Sequence, residues 1–113
     1  MIEVFGLKNC STCVKAQKML MTQGLSFQFQ DVRQTPPTAE QLKSWSAQVG
    51  WDSLINKKSQ TWRGLSDEQK SLTQESDLIA LVQEQPSLMK RPLLVQGDTL
   101  ILGFDEKAYQ QLA

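Results

Sequence analysis

The chain has 113 residues, 12 basic and 12 acidic side chains, 40% apolar residues, two cysteines and no histidine. That length suits one domain burying roughly two thirds of its unfolded surface. The lack of histidine excludes Ser-His-Asp and Cys-His nucleophiles, an imidazole base and a Cys₂His₂ zinc site. A formal charge of zero argues against a protein whose main work is electrostatic binding to nucleic acid or membrane.

No run approaches the ~18 apolar residues of a membrane span. Residues 2–5 are apolar and bounded by Gly6, the pattern of a buried strand. They follow Met1 directly, without the basic flank and long apolar run of a leader, so the cytoplasm is the expected location. After Asn9-Cys10-Ser11-Thr12 a helical pattern runs to about Gln23 and closes at Gly24. Its Cys13, Ala16 and Leu20 share one stripe, which buries that face. Residues 25–30 alternate with period two, Phe27 and Phe29 on one face. Strand, helix, strand in this order predicts a parallel pair.

Pro36-Pro37 punctuates the chain next. Thr38 with Gln41 forms a capping-box pattern opening a helix with Leu42, Trp45 and Val49 on one face, stopped by Gly50. A polar stretch from Asn56 to Gly64 follows, anchored by Trp51 and Trp62. Ser66 with Gln69 is a second capping pattern. Ser76 opens a helix carrying Leu78, Ile79 and Val82, ended by Pro86. Leu93-Leu94-Val95 and Leu100-Ile101-Leu102 read as strands joined at Gly97-Asp98 by a type II′ turn. Asp105 opens a last short helix with Ala108 and Leu112 facing inward. The expectation is one α/β domain over 1–113, a thioredoxin-like fold with a helical insertion at about 38–88 between βαβ and ββα parts.

The chemistry centres on Cys10-Ser11-Thr12-Cys13. A thiol attacks as its thiolate, and an ordinary cysteine near pKa ~8.5 is mostly protonated at neutral pH. Cys10 just ahead of a helix meets unpaired backbone N–H groups and the favourable end of the helix dipole; Lys8 adds positive charge nearby. Cys13, one turn on, is within reach to close a disulfide and is shielded by its place on the apolar stripe. The pair therefore reads as an exposed attacker and a shielded resolver. Two other readings stand beside this one: a core cysteine with an incidental thiol, and half of a metal site shared with a second chain. The cytoplasm and the flanking strand and helix favour the redox reading. A phosphatase loop needs Cys-x₅-Arg, but that position is Ala16 from Cys10 and Met19 from Cys13. Lys90-Arg91-Pro92 enters the third strand; such a proline suits a cis bond or rigid turn, and Arg91 could face an anion or the thiolate.

Several segments carry a resemblance: Gly6-Leu-Lys-Asn-Cys10-Ser-Thr-Cys13, Gly50-Trp-Asp-Ser-Leu-Ile-Asn56, Thr61-Trp-Arg63, Gln85-Pro-Ser-Leu-Met-Lys-Arg91-Pro92 and Leu102-Gly103-Phe104. The chain resembles the arsenate reductase (ArsC) family over nearly its whole length. Its Gly-Trp and Thr-Trp-Arg segments are nearest the YffB subgroup, proposed to be glutathione-dependent thiol reductases. The CxxC is shared with Spx, a relative that binds RNA polymerase and senses oxidation through that pair. The resemblance implies that Cys10 is the nucleophile and Arg91 the arginine ahead of a cis-proline. True arsenate reductases grip the oxyanion with two further arginines. Asn56 stands about where one falls, and Gly103-Phe104 supplies none near the other, with Arg63 the candidate substitute. Losing two guanidiniums removes most charge-assisted bonds to arsenate.

The reading is a thiol–disulfide oxidoreductase with catalytic Cys10, Cys13 and Arg91. Lys8, Asn9, Ser11, Thr12, Arg63 and Pro92 are its substrate-binding candidates. It needs no bound metal or organic cofactor, and glutathione or another thiol serves as reductant. The alternative is an Spx-like redox regulator that binds RNA polymerase, with arsenate reduction third.

Overall fold

The computed structural model describes residues 1–112; Ala113, the end of the expected span, lies outside the described residues. The chain divides into two compact units, one comprising Met1–Val32 and the chain from Arg91 on, the other Arg33–Lys90.

The first unit is built on four strands, β1 (Ile2–Gly6), β2 (Phe27–Asp31), β3 (Leu93–Gln96) and β4 (Thr99–Leu102), in the order β2-β1-β3-β4. β1 and β2 pair in parallel, as the strand–helix–strand order predicts, with Val4 opposite Phe29. β3 pairs antiparallel with both β1 and β4. Gln96 faces Thr99, leaving a two-residue turn in which Gly97 alone has positive φ, at 59°. That matches type II′ and excludes type I′, which needs positive φ at both residues. α1 (Ser11–Thr22) crosses between β1 and β2, and α7 (Glu106–Gln110) closes the unit.

The core follows from two periodicities. Ile2, Val4 and Gly6 share one face of β1, while Cys13, Ala16 and Leu20 form the buried stripe of α1. Ile2, Val4, Ala16, Leu20, Leu94 and Tyr109 make one buried cluster, with Phe27, Phe29 and Leu112 packed against it. Burying each large side chain contributes about 1.5–3 kcal/mol relative to exposure.

α1 starts at Ser11, directly after Cys10 as expected, because Cys10 itself has the extended conformation of an N-cap. Two sequence expectations are corrected in this unit. β2 starts at Phe27, since Leu25 still donates its N–H to Leu20 and belongs to the turn out of α1. In α7 the fully buried residue is Tyr109, and Ala108 is only partly buried, while Leu112, past the helix end, packs against the core as expected; Asp105 does cap that helix, accepting from the Ala108 N–H at 3.2 Å.

The second unit contains the helices between β2 and β3. α2 (Ala39–Val49) carries the expected capping box of Thr38 and Gln41, buries Leu42 and Trp45, and stops at Gly50. α3 (Trp51–Leu54) follows. The stretch read as merely polar holds a further helical turn, α4 (Gln60–Arg63), opened by the Ser59 hydroxyl accepting from the Trp62 N–H. Four residues are too few for periodicity to reveal. α5 (Asp67–Lys70) has the expected Ser66–Gln69 box. α6 (Glu75–Glu84) buries Leu78, Ile79, Leu81 and Val82. Ser76 does not open it: the N-cap is Gln74, without a side-chain bond, and Ser76 lies in a first turn where Glu75 and Asp77 favour the positive helix end. A 3₁₀ turn, Pro86–Leu88, completes the unit. No helix among the described residues is long and apolar enough to cross a membrane.

Candidate active site

The connection from β1 to α1 turns tightly, with Cys10 N–H donating to the Leu7 carbonyl at 3.2 Å. Cys10 is the N-cap, at φ −84° and ψ 121°, and its carbonyl accepts the first helical bond from Val14 at 3.0 Å. Its side chain ends in sulfur, and no side-chain oxygen caps the helix. The first-turn N–H groups are therefore available to an anion. One of them, on Cys13, donates to the Cys10 sulfur.

Cys10 is partly exposed and Cys13 fully buried, and both are free thiols. Burial pushes the Cys10 pKa up. Against that act the Thr12 hydroxyl, 3.0 Å from Cys10 Sγ, the Cys13 N–H, the Cys13 thiol and the Arg91 guanidinium. These partners prevail and bring Cys10 from the ordinary 9.0 to about 7. For Cys13 burial wins. Its pKa is pushed up to about 12, with the Leu7 N–H and the Arg91 charge opposing and Cys10 adding to the rise. The two sulfurs thus differ in both access and acidity.

Cys13 is placed by Gly6. A Cβ at position 6 would stand 2.5 Å from Cys13 Sγ, well inside contact distance, so only glycine lets the sulfur approach the strand so closely. The sequence reading took Gly6 only as the end of a strand; a glycine inside the first anchor segment was the available signal.

The Arg91–Pro92 bond is cis. Pro92 is buried, and its carbonyl accepts from the Gly103 N–H at 2.8 Å, tying the entry of β3 to the residue just past β4. The Arg91 side chain hydrogen-bonds the Cys10 sulfur.

The first unit therefore brings Cys10, Thr12, Cys13 and Arg91 together. Lys8, Asn9 and Ser11 are exposed on the same connection. The Lys8 backbone N–H donates to Asp31 Oδ2 at 3.2 Å. Arg63 is exposed at the end of α4 in the second unit. Asn56, in the same unit, accepts from the Lys58 N–H at 3.1 Å. Among the described residues no group of three or more His, Cys, Asp or Glu side chains could hold a metal ion. Tyr109 was absent from the sequence reading, although it is the only tyrosine of the chain.

A parallel β2–β1 pair joined through β1 to an antiparallel β3–β4 hairpin, with CxxC at the head of the first helix and a cis-proline entering the third strand, defines a thioredoxin-like protein. The ArsC family model matches residues 5–112, and the chain belongs to the ArsC family. It is 37% identical over 110 residues to an uncharacterized protein of Haemophilus influenzae, covering 97% of this chain and 96% of the relative. A solved structure of a YFFB protein superimposes with a TM-score of 0.91 at 33% identity, covering 97% of this chain and 96% of the other. The global transcriptional regulator Spx of Enterococcus faecalis is 28% identical over 108 residues, 94% of this chain and 81% of the relative.

Proposed function

We propose that the chain is a cytoplasmic thiol–disulfide oxidoreductase with glutathione as its reductant. One observation carries the reading: a partly exposed cysteine with a pKa of about 7 stands one turn ahead of a buried cysteine with a pKa of about 12. At about pH 7 roughly half of Cys10 is thiolate and essentially all of Cys13 is thiol.

The Cys10 thiolate attacks one sulfur of a substrate disulfide. The substrate S–S bond breaks, one half leaves as thiolate, and the other stays joined to Cys10. Cys13, or glutathione, then attacks the Cys10 sulfur and releases the second half as a thiol. Two molecules of glutathione return the protein pair to thiols and are themselves oxidised. Arg91 and the Thr12 hydroxyl stabilise the Cys10 anion, Pro92 walls the site, and Lys8, Asn9 and Ser11 offer contacts to the incoming substrate. Arg63 enters this scheme only as a binding candidate. No bound metal or organic cofactor takes part in it.

A glutathione-coupled turnover assay on wild type, Cys10→Ser and Cys13→Ser tests the proposal. Loss of turnover in Cys10→Ser is required. Retention in Cys13→Ser assigns glutathione as the resolving thiol, and loss assigns Cys13. Equal, negligible turnover in all three refutes the enzyme.

The second reading is a redox regulator that binds RNA polymerase. It is favoured by the Spx relative, whose likeness extends over 94% of this chain. A polymerase pull-down with reduced and oxidised protein separates the two. Arsenate reduction has less support, because of three oxyanion-gripping arginines only Arg91 is matched in sequence.

A further inference from the structure

Four hydrogen bonds hold the turn that leads from β1 into α1. The Gly6 carbonyl accepts from the Val32 N–H at 2.9 Å, and the Leu7 carbonyl accepts from the Cys10 N–H at 3.2 Å. The Leu7 N–H donates to the Cys13 sulfur, and the Lys8 N–H donates to Asp31 Oδ2 at 3.2 Å. Of these four, only the last depends on a side chain outside the cysteine pair. Asp31 ends β2, where the register sets it opposite Gly6, the last residue of β1. Its carboxylate therefore stands beside the start of the turn. By charge alone a carboxylate in this place would oppose a thiolate at Cys10, so charge gives no reason for an acid at position 31. Accepting the Lys8 N–H does.

We infer that Asp31 is a positioning residue for the nucleophile: by accepting the Lys8 N–H it fixes the turn that sets Cys10 at the N-cap of α1, and so keeps the Cys10 sulfur against the Thr12 hydroxyl. The inference rests on reading Cys10 as the attacking thiol. Asp31 acts through the backbone of Lys8 and Asn9, which lead directly into Cys10. The Cys10 ψ of 121° sets the direction of its Cβ relative to the first turn of α1. A looser turn lets that angle drift, and Sγ leaves the Thr12 hydroxyl that now lies 3.0 Å away. Asparagine at position 31 keeps an oxygen acceptor of the same reach and loses the charge, whereas alanine loses both. The two substitutions therefore separate the acceptor from the charge.

The test is iodoacetamide alkylation across a pH series for wild type, Asp31→Asn and Asp31→Ala, with the modified cysteine located by mass spectrometry. At about pH 6 the alanine variant is expected to react at Cys10 about threefold more slowly than wild type, its midpoint raised by about half a unit. The asparagine variant is expected to match or exceed wild type, because removing a carboxylate charge favours a nearby anion. At about pH 10, with Cys10 ionised in all three, the rates are expected to agree within about twofold. Rescue by asparagine and convergence at high pH are results that a loss of packing does not give. An alanine variant that reacts within about 1.5-fold of wild type at about pH 6, or faster, overturns the inference. Equal slowing of both variants also overturns it, since the acceptor is then not the operative feature. Slowing that persists undiminished at about pH 10, or modification of Cys13 in the alanine variant, overturns it as structural damage. A wild-type profile without a Cys10 midpoint below about pH 8 removes the attacking thiolate itself, and the inference falls together with the proposed function.

Discussion

Replacing Thr12 with valine keeps the shape at the head of α1 and deletes the hydroxyl that lies 3.0 Å from Cys10 Sγ. Among the groups that lower the Cys10 pKa, that hydroxyl acts most strongly, ahead of the Cys13 N–H, the Cys13 thiol and Arg91. A hydrogen bond to a charged group contributes about 1.5–3 kcal/mol when desolvated, and the partial exposure of this sulfur places it at or below the lower end. The Cys10 pKa should therefore rise by about one unit, from about 7 to about 8. Because the thiolate is the reactive form, the effect has a definite sign with pH. At about pH 7 the thiolate share falls from about half to about a tenth, and alkylation by iodoacetamide slows about fivefold. At about pH 10 both proteins are ionised at Cys10. There the variant should match or slightly exceed wild type, since nucleophilicity rises with pKa. Alkylation rates across pH, with the modified residue located by mass spectrometry, measure this directly. A midpoint that moves by less than about 0.3 unit would refute the assignment of Thr12 as the main partner of the anion.

Other substitutions probe the remaining parts. Arg91→Gln should raise the Cys10 midpoint by less than Thr12→Val does, because the guanidinium is the weakest of the partners; the same alkylation series checks that order. Gly6→Ala forces a methyl group onto Cys13 Sγ. It should lower stability by about 1–3 kcal/mol in urea denaturation and slow closure of the Cys10–Cys13 disulfide, read from loss of free thiols after oxidation. Thr38→Ala removes the α2 capping box at a cost of about 1 kcal/mol in the same urea measurement, with the Cys10 midpoint unchanged.

What the sequence made legible was local. Alternation at Phe27 and Phe29, the Gly97-Asp98 turn, the boxes at Thr38 and Ser66 and the buried stripe of α1 are each decided by residues a few positions apart. Cys10 ahead of a helix and Arg91 ahead of a proline were readable for the same reason, helped by the family resemblance. The features that escaped are decided across the fold. Gly6 is required by a sulfur seven residues later that returns over the strand. Tyr109 is buried because Phe104 and the β1–α1 face surround it, and in a five-residue helix a small rotation exchanges Ala108 for Tyr109 as the inward residue. Thr12 could be placed near Cys10 by spacing, but its rotamer, which puts the hydroxyl against the sulfur, could not. Ser76 looked like a cap because serine often is one; the acidic residues on either side of it in the first turn of α6 serve that end of the helix instead.

The difference between the two thiols reaches beyond the forward reaction. In the oxidised pair, an incoming thiol finds the Cys10 sulfur accessible, but attack there must expel Cys13, the more basic and so the poorer leaving group. Attack on Cys13 would expel the better leaving group, yet that atom is walled in by the backbone of Gly6. Access and departure thus favour opposite sulfurs, which predicts that opening of the proposed Cys10–Cys13 bridge by an incoming thiol is slower than opening of an exposed disulfide between two ordinary thiols.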